Sequence, residues 1–182
     1  MKHPKLLFPE SINLMAETKD KLPVFIGRFQ PFHLGHLEVV KRHLKRKKFV
    51  IVIGSMQEAN TPKNPFTFSE RKEMIKKVLK SEKIGNYKIF GLPDFMKDME
   101  WSENLLKAVG TNDIVVYTRN NWTKKCLEKS GIEVVRNPLY FGISATKIRS
   151  RIKKELEWKS LVPEAVSGFL REIGGERRIK GL

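Results

Sequence analysis

Apolar residues along the chain gather into five short runs separated by longer stretches with a helical pattern. The runs are VFIG (24–27), FVIVIG (49–54), YKIFG (87–91), DIVVY (113–117) and IEVV (132–135). Each is strand-sized and rich in β-branched or aromatic side chains. Helical patterns follow the first four of them, at roughly 35–47, 69–83, 102–109 and 120–130. Strands alternating with helices predict a parallel sheet covered on both faces. Several runs are almost continuously apolar, as strands buried on both faces are. The expected class is therefore α/β, a Rossmann-like doubly wound five-stranded parallel sheet in the order 3-2-1-4-5, with C-terminal helices. One of those helices begins near Ser144 and runs through TKIRSRIKKEL. The other begins near Pro163, where proline is tolerated in a first turn, and stops at Gly174-Gly175. Residues 1–22 show no clear period and read as an N-terminal extension, an arm or a disordered segment, ahead of one domain over 23–182.

A chain of 182 residues can bury a substantial core as a single domain. Its 40% hydrophobic and 31% charged residues are ordinary for a globular protein. The apolar runs are far too short to span a membrane, and LLF near the start is followed at once by Pro9 and Glu10, unlike a secretory signal. Cys126 is the only cysteine, which excludes an intrachain disulfide and a cysteine-based zinc site. These features point to the cytoplasm. The net charge of +16 is the unusual bulk property. It favours anionic ligands without choosing among nucleotides, nucleic acid and acidic membranes. KRHLKRKK (41–48) reads as the exposed face and end of a helix, where cations complement the dipole.

In a doubly wound sheet, ligands bind beyond the carboxyl ends of the strands, where the strand order reverses. GRFQPFHLGH (27–36) follows the first strand and is the richest candidate. A metal site is not expected from it: His33 and His36 are only two ligands, and His3 and His43 sit in unpromising contexts. No G-x-S-x-G elbow, phosphate-loop lysine motif or G-x-G-x-x-G fingerprint occurs anywhere in the chain. A phosphate cradle fits better. Gly27 lets backbone approach a ligand, Pro31 stiffens the loop, and Gly35 removes a side chain where unpaired N–H groups attract anions. His33 and His36 add directional donors, and Arg28 adds a permanent charge.

The decamer resembles the G-R-F-Q-P-x-H-x-G-H signature of the nucleotidylyltransferase (H-x-G-H) superfamily. A second signature, about I-S-x-T-x-x-R, is matched by ISATKIR (143–149) just beyond the fifth strand. GSMQEANTPKNPFTFSERKEMI (54–75), YTRNNWTKKCLEKSGIEV (117–134) and the ending WKSLVPEAVSGFLREIGGERRIKGL (158–182) are similar to archaeal-type nicotinamide-mononucleotide adenylyltransferases. The resemblance covers about 23–182, a nucleotidylyltransferase domain. Two departures, ANT (59–61) and TRNNW (118–122), fall near the expected substrate side and bear on acceptor specificity.

The resemblance implies transfer of the adenylyl group of ATP to nicotinamide mononucleotide, giving NAD and pyrophosphate. It implies catalytic roles for His33, His36 and Arg149, and ATP binding by Gly27, Arg28, Phe29, Gly35, His36, Ser144, Thr146 and Arg149. Ser144 also reads as a plain helix cap, and the two roles can coexist. For the acceptor it implies Trp101, stacked on the pyridinium ring, together with Asn120 and Asn64. Trp101 also reads as a core residue; Trp122 and Trp158 look structural, and Arg71 reads as functional or as an interface contact. Mg²⁺ would be held mainly through ATP phosphates, with no protein metal ligands. The family also implies a homo-oligomer and no membrane. Adenylyl transfer to nicotinic acid mononucleotide, phosphopantetheine or flavin mononucleotide keeps the same chemistry. A nucleic-acid-binding module with a degenerate fold would use the +16 surface, but the intact His33, His36, Ser144, Thr146 and Arg149 argue against it.

Overall fold

The computed structural model describes residues 21–45, 47–94 and 98–182. Five parallel strands, β1 (Leu22–Gly27), β2 (Phe49–Ile53), β3 (Tyr87–Gly91), β4 (Ile114–Thr118) and β5 (Glu133–Arg136), form one sheet in the order β3-β2-β1-β4-β5. This is the order expected from the sequence. Period-two alternation along the strands sends successive side chains to opposite faces. Phe25, Ile51, Ile53 and Val115 enter one core, while Val24, Ile26, Val50, Val52 and Val116 enter the other.

The first core is covered by α1 (Leu34–Val39), α2 (Phe68–Ser81), α5 (Ala145–Lys153), α6 (Glu164–Glu172) and α7 (Gly175–Gly181). The second is covered by α3 (Asp98–Val109) and α4 (Asn121–Lys129). Crossing from β3 to the far side of β1 places the reversal of strand order between β1 and β4. The segments leaving those two strands therefore open a crevice at the carboxyl end of the sheet. None of the helices among the described residues is long and apolar enough to cross a membrane.

Element boundaries differ from the sequence expectation in instructive ways. β1 reaches back to Leu22, which pairs with Ile114; residues 1–20 of the expected extension lie outside the described residues. The helix expected over 35–47 is α1 continued by a π-helical turn at Val40–Leu44. α3 starts four residues before its expected beginning at 102. Near the C-terminus the helix that begins after Pro163 does stop at Gly174, as expected, but a further helix follows it. Gly174 ends α6 in the left-handed region at φ 65°, which glycine adopts without strain. Gly175 then permits a close approach, because a Cβ there would lie 3.0 Å from the Leu170 side chain and 3.1 Å from the Phe66 ring and would have to displace them slightly. The helix resumes as α7, buries Ile179, and donates from Arg178 to both carboxylate oxygens of Glu70 at 2.7 and 2.8 Å. Trp158 is buried in the first core, as its structural reading implies.

Candidate active site

Beyond the carboxyl ends of β1 and β4 lies a cavity of about 480 Å³, a volume suited to a small organic ligand. His33 and His36 form part of its wall. His33 is the N-cap of α1, and its Nδ1 accepts from the His36 N–H at 3.3 Å. Reciprocally, His36 Nδ1 accepts from the His33 N–H at 3.2 Å. The H-x-x-H spacing thus builds a capping box, a role that Ser or Thr with Glu or Gln usually fills. The two rings stack with centroids 3.5 Å apart and planes 21° apart.

That geometry decides the proton positions. Each Nδ1 accepts a hydrogen bond, so a neutral ring carries its proton on Nε2 and keeps that N–H as a donor. Burial holds His33 neutral by lowering its pKa from 6.5 to about 3. His36 is lowered well below its ordinary value by burial first and by the neighbouring His33 second. Phe29 and Phe32 meet the His36 ring at centroid distances of 4.9 and 5.3 Å, and Phe25 lies at 5.9 Å. This aromatic seat explains the desolvation. Gly35 leaves room for the His33 ring, since a Cβ would come within 3.1 Å of it and 3.3 Å of the Tyr140 carbonyl.

The pair makes folding acid-sensitive in a definite direction. Unfolded histidines titrate near 6.5, while the folded pair titrates lower. Below pH 6.5 the unfolded chain therefore binds more protons, and stability falls as pH drops, until folded His33 itself titrates near 3. Each histidine adds at most about 1.4 kcal/mol per pH unit to that slope. Urea midpoints measured from pH 7.5 down to 4.5 should fall steadily, and His33→Gln should flatten the curve. An unchanged slope in that variant would remove His33 as its source.

The remaining residues expected at the site are brought together with one exception. Gly27, Arg28, Phe29, Gly35, Ser144, Thr146, Arg149, Trp101 and Asn120 all line the cavity, but Asn64 does not. Asn64 sits in a turn closed by its N–H bonds to the carbonyl and hydroxyl of Thr61. Ser144 caps α5 by accepting from the Lys147 N–H at 3.2 Å, and Asn120 caps α4 by accepting from the Trp122 N–H at 2.9 Å. Arg149 donates from Nε to Pro62 O at 3.1 Å, from Nη1 to Gln30 O at 2.8 Å, and from Nη2 to Thr146 Oγ1 at 3.5 Å. Two of its five N–H donors are left for a ligand. Its pKa is lowered by burial and by the charge of Arg28, the direction expected where cations are gathered for an anion. Arg28 itself is exposed at the mouth.

Both sequence motifs and the intervening segment now have positions in one crevice. The cytidylyltransferase-like family model matches residues 24–151, from β1 through both motifs. The nicotinamide-nucleotide adenylyltransferase of Methanolobus tindarius is 40% identical over 161 residues, covering 87% of this chain and 92% of that protein. The enzyme of the same name from Thermoplasma volcanium is 39% identical over 171 residues, covering 92% and 96%.

The chain belongs to this family.

Among solved structures, the bifunctional NMN adenylyltransferase/ADP ribose pyrophosphatase of Francisella tularensis superimposes with a TM-score of 0.77 at 27% identity. The match covers 89% of this chain and 52% of the Francisella chain, so this nucleotidyltransferase spans about half of that two-function protein.

Family membership gives the other residues of the crevice their interest. Trp101 reaches the cavity wall but is only 2% exposed, and its ring meets Trp122 edge-on at 5.4 Å. Trp122, read from the sequence as structural, is 40% exposed and lines the cavity. Its place in the first turn of α4, after the Asn120 cap at the crevice, is the signal that marks it. Arg71 is wholly buried, which rules out an interface contact. It is not among the lining residues either. Its guanidinium donates to the carbonyls of Arg28, Gly54, Ser55 and Thr67 at 2.9–3.2 Å and reaches Glu58 O at 3.5 Å. Burial lowers its pKa to about 10, so it stays charged at neutral pH. Asp94 is the one carboxylate among the described residues lining the cavity, and it is engaged by Ser55 and Gln57. No cluster of three or more metal-ligating side chains occurs among the described residues.

Proposed function

We propose that this enzyme transfers the adenylyl group of ATP to nicotinamide mononucleotide, forming NAD and pyrophosphate. The observation that carries the reading is the stacked His33–His36 pair, two neutral rings with Nε2–H donors in a crevice that also holds Arg28, Ser144 and Arg149. Neutral donors and fixed cations suit stabilisation of phosphate charge, and a general base is not needed because the attacking phosphate is already anionic.

A phosphate oxygen of the mononucleotide attacks the α-phosphorus of ATP in line. A new phosphorus–oxygen bond forms, the bond to the bridging oxygen breaks, and pyrophosphate leaves with the electron pair. His36 donates to oxygens of the reacting phosphorus, where negative charge is redistributed, and His33 donates beside it. Arg149, Ser144 and Thr146 hold the β- and γ-phosphates at the start of α5. Gly27, Gly35 and Phe29 shape the floor, and Arg28 draws anions to the mouth. Trp101 and Asn120 are assigned to the acceptor. Asn64 is assigned to it only indirectly, through the 61–64 turn. A divalent cation such as Mg²⁺ would be held mainly through the ATP phosphates and, when bound, would supply charge neutralisation for the leaving pyrophosphate.

The same reading makes residues 23–182 one nucleotidylyltransferase domain of a cytoplasmic homo-oligomer. The test supplies ATP and Mg²⁺ with nicotinamide mononucleotide, nicotinic acid mononucleotide, phosphopantetheine or flavin mononucleotide in separate reactions. Chromatography should find NAD and an equal amount of pyrophosphate in the first. Failure to form NAD there, with a product in another, would move the assignment to that acceptor.

A further inference from the structure

Four large apolar side chains are exposed among the described residues, and two of them, Trp122 at 40% and Leu139 at 44%, line the crevice. Exposed apolar surface gathered in a pocket marks a place where a ligand is received. Trp122 differs from the other aromatic side chains of the wall. Phe25, Phe29, His33 and Trp101 are buried. Tyr140 is half-buried, with the Arg42 guanidinium 5.3 Å from its ring centre and its Oη 3.1 Å from His43. Among the described residues, Trp122 is the aromatic side chain whose face the crevice leaves open.

That face is held in place. Asn120 Oδ1 accepts from the N–H groups of Trp122 and Thr123 at 2.9 and 3.4 Å, which fixes the first turn of α4. The indole meets the buried ring of Trp101 at 71°, an edge-to-face contact that occupies at most one of its faces. The loop after β5, which carries Leu139, is bonded to the loop after β4. Asn137 N–H donates to Thr118 O at 3.3 Å, and Asn137 O accepts from Arg119 Nη1 at 2.8 Å.

A second observation points to a ligand here. Asn137 lines the cavity at 2% exposed, yet neither its Oδ1 nor its Nδ2 has a hydrogen-bond partner among the described residues. Leaving both ends of a buried amide unpaired is unfavourable, and such groups in folded proteins ask for an explanation. A flat apolar face and an unpaired amide on adjoining loops suit a planar ring with hydrogen-bonding groups at its edge.

We propose that Trp122 is the platform on which the heteroaromatic ring of a substrate nucleotide stacks. The inference rests on the reading of the crevice as a nucleotide site. Both substrates of that reading carry such a ring, a pyridinium in the mononucleotide and adenine in ATP. Either ring is favoured flat against an indole. Trp101, at 2% exposed, offers no comparable face.

The test is acrylamide quenching of tryptophan fluorescence on the full chain, with each nucleotide added alone. The chain has three tryptophans, and Trp101 and Trp158 are buried, so the quenchable emission comes chiefly from Trp122. Trp122→Phe should remove most of it. In wild type, either saturating nicotinamide mononucleotide or ATP with Mg²⁺ should shield that emission, and the nucleotide that does so identifies the ring. Calorimetry should then find that nucleotide bound about 10-fold more weakly, or worse, by Trp122→Leu, with affinity for the other little changed. Trp122→Phe should recover most of the loss, since leucine keeps an apolar side chain without the flat face. Emission quenched equally with either nucleotide added, or affinities unchanged in Trp122→Leu, overturns the proposal; NAD formation by wild type would still uphold the nucleotide reading. Equal losses for both nucleotides, which a distorted crevice would give, also overturn it. If one nucleotide shields Trp122 but no NAD forms, the acceptor reading fails while the stacking assignment stands.

Discussion

His36→Ala is expected to lower kcat on the order of 10²-fold or more, with a much smaller change in KM for ATP. A loss of that size corresponds to about 2.7 kcal/mol of barrier, the scale found when one preorganised donor is removed from a developing charge. The prediction depends on the ring being neutral and oriented. Its Nδ1 is engaged by the His33 N–H, its plane is held by His33 and by the phenylalanines beneath it, and burial keeps it uncharged. A donor prepared in this way needs no reorganisation at the moment of reaction. Single-turnover measurements with saturating ATP check it, alongside a thermal melt to show that α1 survives. Turnover near wild type would remove His36 from the chemistry and leave it a helix cap.

Arg71→Met should produce the largest stability loss, about 3–5 kcal/mol in urea unfolding, as when a buried network loses its central charge. The side chain is fully buried, and its donors bind carbonyls on the loop after β1, the loop after β2 and the first turn of α2. Methionine fills most of the volume but leaves those carbonyls without a donor in a place water does not reach. Three of them, on Arg28, Gly54 and Ser55, belong to residues lining the cavity, so ATP affinity should fall along with stability. Arg71→Lys retains the charge but not the fork, and should recover only part of the loss. A variant as stable as wild type would show that the braced loops hold themselves.

These two residues also show how much of the site was legible beforehand. His33 and His36 were legible because their meaning is local: the spacing, the glycine between them and the strand before them all lie between Leu22 and His36. Arg71 was not, because its partners lie 13 to 43 positions away for all but one of its bonds. Trp122 reads from the sequence as structural, and its position on the first turn of α4 exposes it and puts it in the cavity wall instead. Asn137 carries no motif at all. Its significance comes from what its amide does not touch among the described residues.

By itself, the sequence determined the alternation of strand and helix, the two signature motifs and, through them, the family. Strand order is not written in the alternation, which the order 2-1-3-4-5 would satisfy as well; it was an expectation of the Rossmann-like class that the sheet bears out. Periodicity and short motifs are written in neighbouring residues, and burial on one or both faces selects for them directly. Tertiary structure alone decided that the histidines stack and stay neutral, that Arg71 braces two loops, that α7 returns to pair with Glu70, and that the Asn137 amide in the crevice wall has no partner among the described residues. Each of those depends on desolvation or on a partner distant in the chain, and neither quantity exists until the elements are packed.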